Sequence, residues 1–103
     1  MQIQVNTDRN IEGNDALAAQ VSGVVEAALR RFRDHITRVE VHLSDENAAK
    51  SGQHDNRCMM EARIEGRPPV AVTHTAASLD QAVSGATDKL ARMIESTLGR
   101  AAR

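Results

Sequence analysis

A chain of 103 residues has room for one hydrophobic core and not for two, and its 41% apolar and 26% charged content suits a folding domain. Its 13 basic and 14 acidic side chains give a net charge of -1, which excludes a bulk basic field, so an anionic partner must be met by a local patch. Tyr and Trp are absent and Phe32 is the one aromatic residue, which excludes a stacking platform for unpaired bases and calls for a core of Val, Ile, Leu, Met and Ala.

Residues 1–5 alternate Met, Gln, Ile, Gln and Val, and this period of two predicts a short strand with Met1, Ile3 and Val5 on one face. Turn formers fill residues 6–14, with Ile11 as the anchor of the loop. A helix is predicted from Asp15, capped by Asn14, with Leu17, Val21, Val24, Val25, Ala28 and Phe32 as its apolar stripe and an end at about 32–34. Arg30, Arg31 and Arg33 then fall in its last turn, where the helix dipole favours cations.

Residues 37–44 predict a strand with Val39, Val41 and Leu43 inward and Arg38, Glu40 and His42 outward. The polar, aperiodic stretch 44–56 reads as a long, mobile hairpin loop. Residues 57–65 alternate again, placing Cys58, Met60, Ala62 and Ile64 inward. Gly66 and the Pro68-Pro69 pair turn the chain into a last short strand over 70–75, with Val70 and Val72 inward.

Ser78, three residues ahead of Gln81, opens a second helix to residue 98 with Leu79, Val83, Ala86, Leu90, Met93 (with Ile94) and Thr97 on its packing face. Asp88 and Arg92 have the spacing of a supportive ion pair, Lys89 neighbours Arg92, and Gly99 is expected to cap the helix ahead of a frayed tail over 99–103.

The order βαβββα predicts one α/β (α+β) domain over 1–103. It is expected to be a two-layer sandwich whose four-stranded sheet carries both helices on one face. The first two strands, joined by a helix, should be parallel or nearly adjacent. Small residues Ala28, Ala82, Gly85 and Ala86 are expected to let the helices lie close together. The outer sheet face, with Arg38, Glu40, His42, Glu61, Arg63, Glu65 and Thr73, is mixed in sign and reads as solvated, or alternatively as a surface for sheet-on-sheet pairing.

Chemistry-bearing residues are present without a chemical spacing. His42, His54, Asp55, Cys58 and His74 match no zinc motif, and Asp45, Glu46 and Asp55 lack the spacing of an EF-hand. Cys58 reads as a small core residue. There is no nucleophile elbow and no Gly-rich phosphate loop, so neither an enzyme nor a cofactor is expected. No apolar run approaches membrane-spanning length and M-Q-I-Q-V lacks the marks of a signal peptide; a cytoplasmic protein without a membrane partner is expected.

The segments I-E-G-N-D-A-L (11–17), V-E-V-H-L (39–43) and V-S-G-A-T-D-K-L-A-R (83–92) resemble, in order, those of the ribosome hibernation promoting factor and ribosome-associated inhibitor A family, also called sigma-54 modulation proteins. The resemblance is to a short-form, divergent branch. It implies a factor that binds the small ribosomal subunit and its RNA, inhibits translation or promotes hibernation under stress, and uses no small-molecule substrate. By position it implies RNA contacts from Lys89 and Arg92, with Arg30, Arg31 and Arg33 as a second edge. The chain departs from relatives at Asp80 and Ser84, where many carry Tyr and Asp, and has fewer helix lysines, which implies weaker RNA binding with a shallower salt dependence. The extra domain of long members is absent from the sequence, so pairing of ribosomes through it is not expected. The alternative reading is a protein-interaction or stress-regulatory module that keeps the fold without ribosome binding.

Overall fold

The computed structural model describes residues 1–46 and 55–101, with side chains through Gly99 in the last helix. Its elements are β1 (Gln2–Thr7), α1 (Asp15–Leu29) with a 3-10 turn at Arg30–Phe32, β2 (Ile36–Asp45), β3 (Asn56–Ile64), β4 (Val70–Ala76) and α2 (Leu79–Ala101). The order βαβββα is the one predicted. The strands lie β1-β2-β3-β4 in one sheet, β1 parallel to β2 across the α1 connection and the other two pairs antiparallel.

Both helix starts follow from their caps. Asn14 Oδ1 accepts the Leu17 N–H at 2.8 Å and Ser78 Oγ accepts the Gln81 N–H at 3.1 Å. The ends differ from expectation. α1 stops at Leu29 and tightens into the 3-10 turn, closed by Arg33 N–H to Arg30 O at 3.2 Å, so the arginines extend past the α-helix rather than forming its last turn. α2 runs through Gly99 to Ala101, and among the glycines described only Gly66 has a positive φ, 75°. Without a left-handed residue at 99 the chain does not turn back there, and Gly99 is an ordinary helical residue rather than a cap.

Alternation places Val39, Val41, Leu43, Cys58, Met60, Ala62, Ile64, Val70 and Val72 in the core as expected. Ile36 joins them because the β2–β3 register shifts between Ile36 and Arg38, an irregularity that takes up Thr37 and lets Ile36 and Val39 both point inward. Thr37 uses its hydroxyl to bond Arg63 O at 3.2 Å. The predicted loop at 44–56 is shorter at both ends, since Asp45 pairs with Asn56 in the ladder and the Glu46 N–H donates to Asp55 O at 3.0 Å; residues 47–54 lie outside those described.

Phe32 is the one aromatic residue of the core, which is otherwise Val, Leu, Ile and Ala with Cys58 and Met60. Val21, Val25 and Leu29 of α1 and Ala82, Val83, Ala86, Leu90 and Ile94 of α2 close it over the sheet, α1 lying against β1 and α2 against β3 and β4. Two predicted stripe residues fall outside: Val24 is 42% and Met93 46% exposed. Thr87 is buried instead, its hydroxyl satisfied by Val83 O at 2.6 Å.

The small-residue expectation is corrected at Gly85, which faces the sheet rather than α1. A Cβ there would lie 2.6 Å from His74 Cγ on β4, and closer still to Cδ2 and Nε2. His74 shares the inward face of Val70 and Val72, and glycine gives its imidazole room beneath α2.

Candidate nucleic-acid interface

Strand polarity sets where the helix cations lie. β1, β2 and β4 run one way, and α1 and α2 each follow one of these strands back across the sheet, so the helices run parallel with their capped N-termini at one end of the domain. Arg30, Arg31 and Arg33 sit at the opposite end, and Lys89 and Arg92 midway along α2.

The three arginines diverge. Arg31 reaches α2, with Nη2 3.5 Å from Glu95 Oε2, while its guanidinium stands 4.6 Å from the Phe32 ring centroid. Arg30 and Arg33 line a recess of about 310 Å³ with Met1, Glu26 and Asp34, on the side of β1. The carboxylates of Glu26, Asp34 and Glu95 therefore interleave with the cations, and the field at this end is mixed rather than uniformly basic.

On α2, Lys89 and Arg92 behave differently. Lys89 Nζ donates to Thr73 O at 2.9 Å and is held at the outer edge of β4. Arg92 is exposed, and among the described residues it makes no ion pair; the expected pairing with Asp88 is not formed. Lys89 and Arg92 are three positions apart, as are Arg92 and Glu95, so Arg92 stands on the arc between the β4 side and the α1 side of the helix. The arrangement leaves Arg92, Arg30 and Arg33 available to an anion and engages Lys89 and Arg31 within the domain.

The inter-helix surface adds a feature that the cation pattern does not signal. Leu17, Val21 and Val24 of α1 and Leu79 and Val83 of α2 line an apolar notch of about 210 Å³ near the capped helix ends. Its components are visible in the two stripes, but that they leave a gap depends on the spacing of the helices. Glu95 as the partner of Arg31 was likewise not legible, because the two lie far apart in the sequence.

The metal candidates are not brought together. Among the described residues no group of three His, Cys, Asp or Glu could hold an ion. His42 lies on the outer sheet face, His54 lies outside the described residues, and Cys58 pairs across the ladder with His74 on the inner face. Burial pushes the Cys58 thiol up to about 12, so the nucleophilic thiolate is disfavoured, in keeping with a core residue. No helix among the described residues is long and apolar enough to cross a membrane.

Fold and surface together define a class: a small two-layer α/β domain whose cations are dispersed over both layers among carboxylates. The chain belongs to the family described as sigma 54 modulation protein / S30EA ribosomal protein, which it matches over residues 4–101. Among solved structures it resembles the protein Y N-terminal domain of Thermus thermophilus, with 24% identity over 94% of this chain and 99% of that one and a TM-score of 0.76. It also resembles a ribosomal subunit interface protein from Coxiella burnetii, with 15% identity over 96% and 99% of the two chains and a TM-score of 0.73. At these identities the two structures speak for the shared fold. No curated protein is matched by the sequence.

Proposed function

We propose that this protein associates with the ribosome, binding RNA of the small subunit through its helix layer and inhibiting translation or promoting hibernation under stress. Membership of the sigma 54 modulation protein / S30EA ribosomal protein family over nearly the whole chain carries the reading. The exposed cations Arg92, Arg30 and Arg33 supply a means, since phosphate neutralisation needs charge and not a catalytic constellation. In this reading the protein acts in the cytoplasm as a binding factor, without catalysis or a cofactor.

A second reading has its own observation. The net charge is -1, and Lys89 and Arg31 are engaged by Thr73 and Glu95, which favours a module that retains the fold and binds a protein partner instead.

Sedimentation with purified small subunits across a salt series separates the two. Three available cations give a logarithmic salt slope of about -2 to -3, so affinity falls roughly 20- to 40-fold between 50 and 200 mM salt. Five engaged cations, with Lys89 and Arg31 released on binding, give a fall of roughly 100- to 500-fold over the same range. Loss of binding in Arg92→Glu with Arg30→Glu and Arg33→Glu, in a chain that keeps its circular dichroism, is the expected result. Absence of binding by the unaltered protein at low salt refutes the ribosome reading and favours the second.

A further inference from the structure

β4 ends the sheet, and the phase of the ladders determines which of its groups face outward. The Glu46 N–H bond to Asp55 O assigns the even-numbered residues of β2 and the odd-numbered residues of β3 to the β2–β3 ladder. The Asp8 N–H bond to Leu43 O agrees, since it turns the odd-numbered residues of β2 toward β1. Cys58 and Met60 therefore bond toward β4, to His74 and Val72. Left at the free edge are the N–H and C=O groups of Ala71, Thr73 and Thr75, and Lys89 Nζ occupies the middle carbonyl at 2.9 Å.

We propose that this edge is the surface by which two copies of the chain join, β4 antiparallel to β4 about a two-fold axis at Thr73, and that Lys89 holds it closed in the single chain. An antiparallel edge is its own complement: Thr73 exchanges both main-chain bonds with the partner's Thr73, and Ala71 does so with the partner's Thr75. On the outer sheet face the side chains brought opposite each other are Thr with Thr and Ala with Thr. All are exposed and uncharged in the single chain, so no like charges meet on that face, and the two Lys89 ammonium groups at the axis are the cations that oppose the union. Met93 lies one helical turn beyond Lys89 on the same face of α2 and is 46% exposed, which offers apolar surface beside the axis. A lysine set against a sheet edge opposes strand addition, because its ammonium takes an acceptor that the incoming strand needs.

The proposal does not rest on ribosome binding, and its test uses the purified full chain without RNA. Sedimentation velocity over a concentration series compares the unaltered protein with Lys89→Met, and hydrogen exchange reads the amides of Ala71, Thr73 and Thr75. Loss of one charge-assisted bond from the closed form is expected to tighten self-association about tenfold and to slow exchange at those three amides in the dimer. Adding Thr73→Lys to Lys89→Met sets like charges opposite each other at the axis and is expected to return the protein to monomer. Lys89→Ala repeats the comparison with a shorter side chain, and circular dichroism checks that each variant is folded. Equal association of the unaltered and Lys89→Met proteins overturns the proposal. A dimer in which the three amides exchange as freely as in the monomer also overturns it.

Discussion

Replacing Gly85 by alanine sets two effects of known sign against each other. In a helix interior alanine is favoured over glycine by about 1 kcal/mol, so the substitution on an open surface stabilises. At this position the new Cβ lies 2.6 Å from His74 Cγ, with Cδ2 and Nε2 closer still. Cγ sits one bond beyond the His74 Cβ, so the ring cannot escape by moving its tip alone; it must change rotamer or α2 must lift from β4. Overpacking of this kind costs about 1–3 kcal/mol, and the net expectation is a destabilisation of up to about 2 kcal/mol. For a domain of this size each 1 kcal/mol lowers Tm by roughly 4–8 °C. The control is His74→Ala, which opens the space. In that background Gly85→Ala is expected to stabilise by about 1 kcal/mol, so the cycle yields a coupling of roughly 1–3 kcal/mol. Urea unfolding followed by far-UV circular dichroism suits a chain without Trp or Tyr. If Gly85→Ala changes stability equally with His74 present and absent, the contact does not govern how closely α2 approaches the sheet.

Three further outcomes are expected. Burial holds the Cys58 thiol protonated up to about 12, while the ordinary value is 9.0, so its contribution to stability is intact below pH 9 and is lost as pH rises toward 12. The stability difference between the unaltered protein and Cys58→Ala should therefore shrink above pH 9 by up to about 1.4 kcal/mol per pH unit, and a constant difference in urea titrations across that range would argue against the burial. Asn14→Ala removes the acceptor of the Leu17 N–H and should cost about 1 kcal/mol in chemical unfolding, whereas Asn14→Ser should restore most of it. The Arg31–Glu95 pair is exposed on both sides, and a double-mutant cycle should return no more than about 0.5 kcal/mol; a value above 1 would mean that it pins the two helices together.

The contrast among the cations bears on function as well as on stability. Lys89 and Arg92 are neighbours in the sequence pattern, yet one is bonded to a main-chain carbonyl and the other is exposed. A partner that recruits Lys89 must break its bond to Thr73, whereas one that recruits Arg92 displaces only water. Charge reversal at Arg92 is therefore expected to weaken ribosome co-sedimentation while leaving unfolding unchanged, and charge loss at Lys89 to affect the β4 edge as well.

What this sequence determined by itself is the set of elements and the inward face of each strand. Alternation over Val39, Val41 and Leu43, and over Cys58, Met60, Ala62 and Ile64, encodes burial directly, because successive strand residues face opposite sides. Asn14 and Ser78 encode helix starts through bonds made within three residues, and Gly66 encodes a turn through its own φ of 75°. These are local interactions, and local sequence suffices for them. Only the tertiary structure decided the roles that depend on what lies opposite: Gly85 against His74, Lys89 against Thr73, Arg31 against Glu95, and the inward turn of Ile36 at a register shift. Val24 and Met93 carry helical periodicity yet remain exposed, because a stripe shows which way a helix faces and not how far the neighbouring layer extends beneath it. The five cations were legible as residues, but which of them are available to a partner depends on the packing of α2 against β4 and on the meeting of the two helix ends.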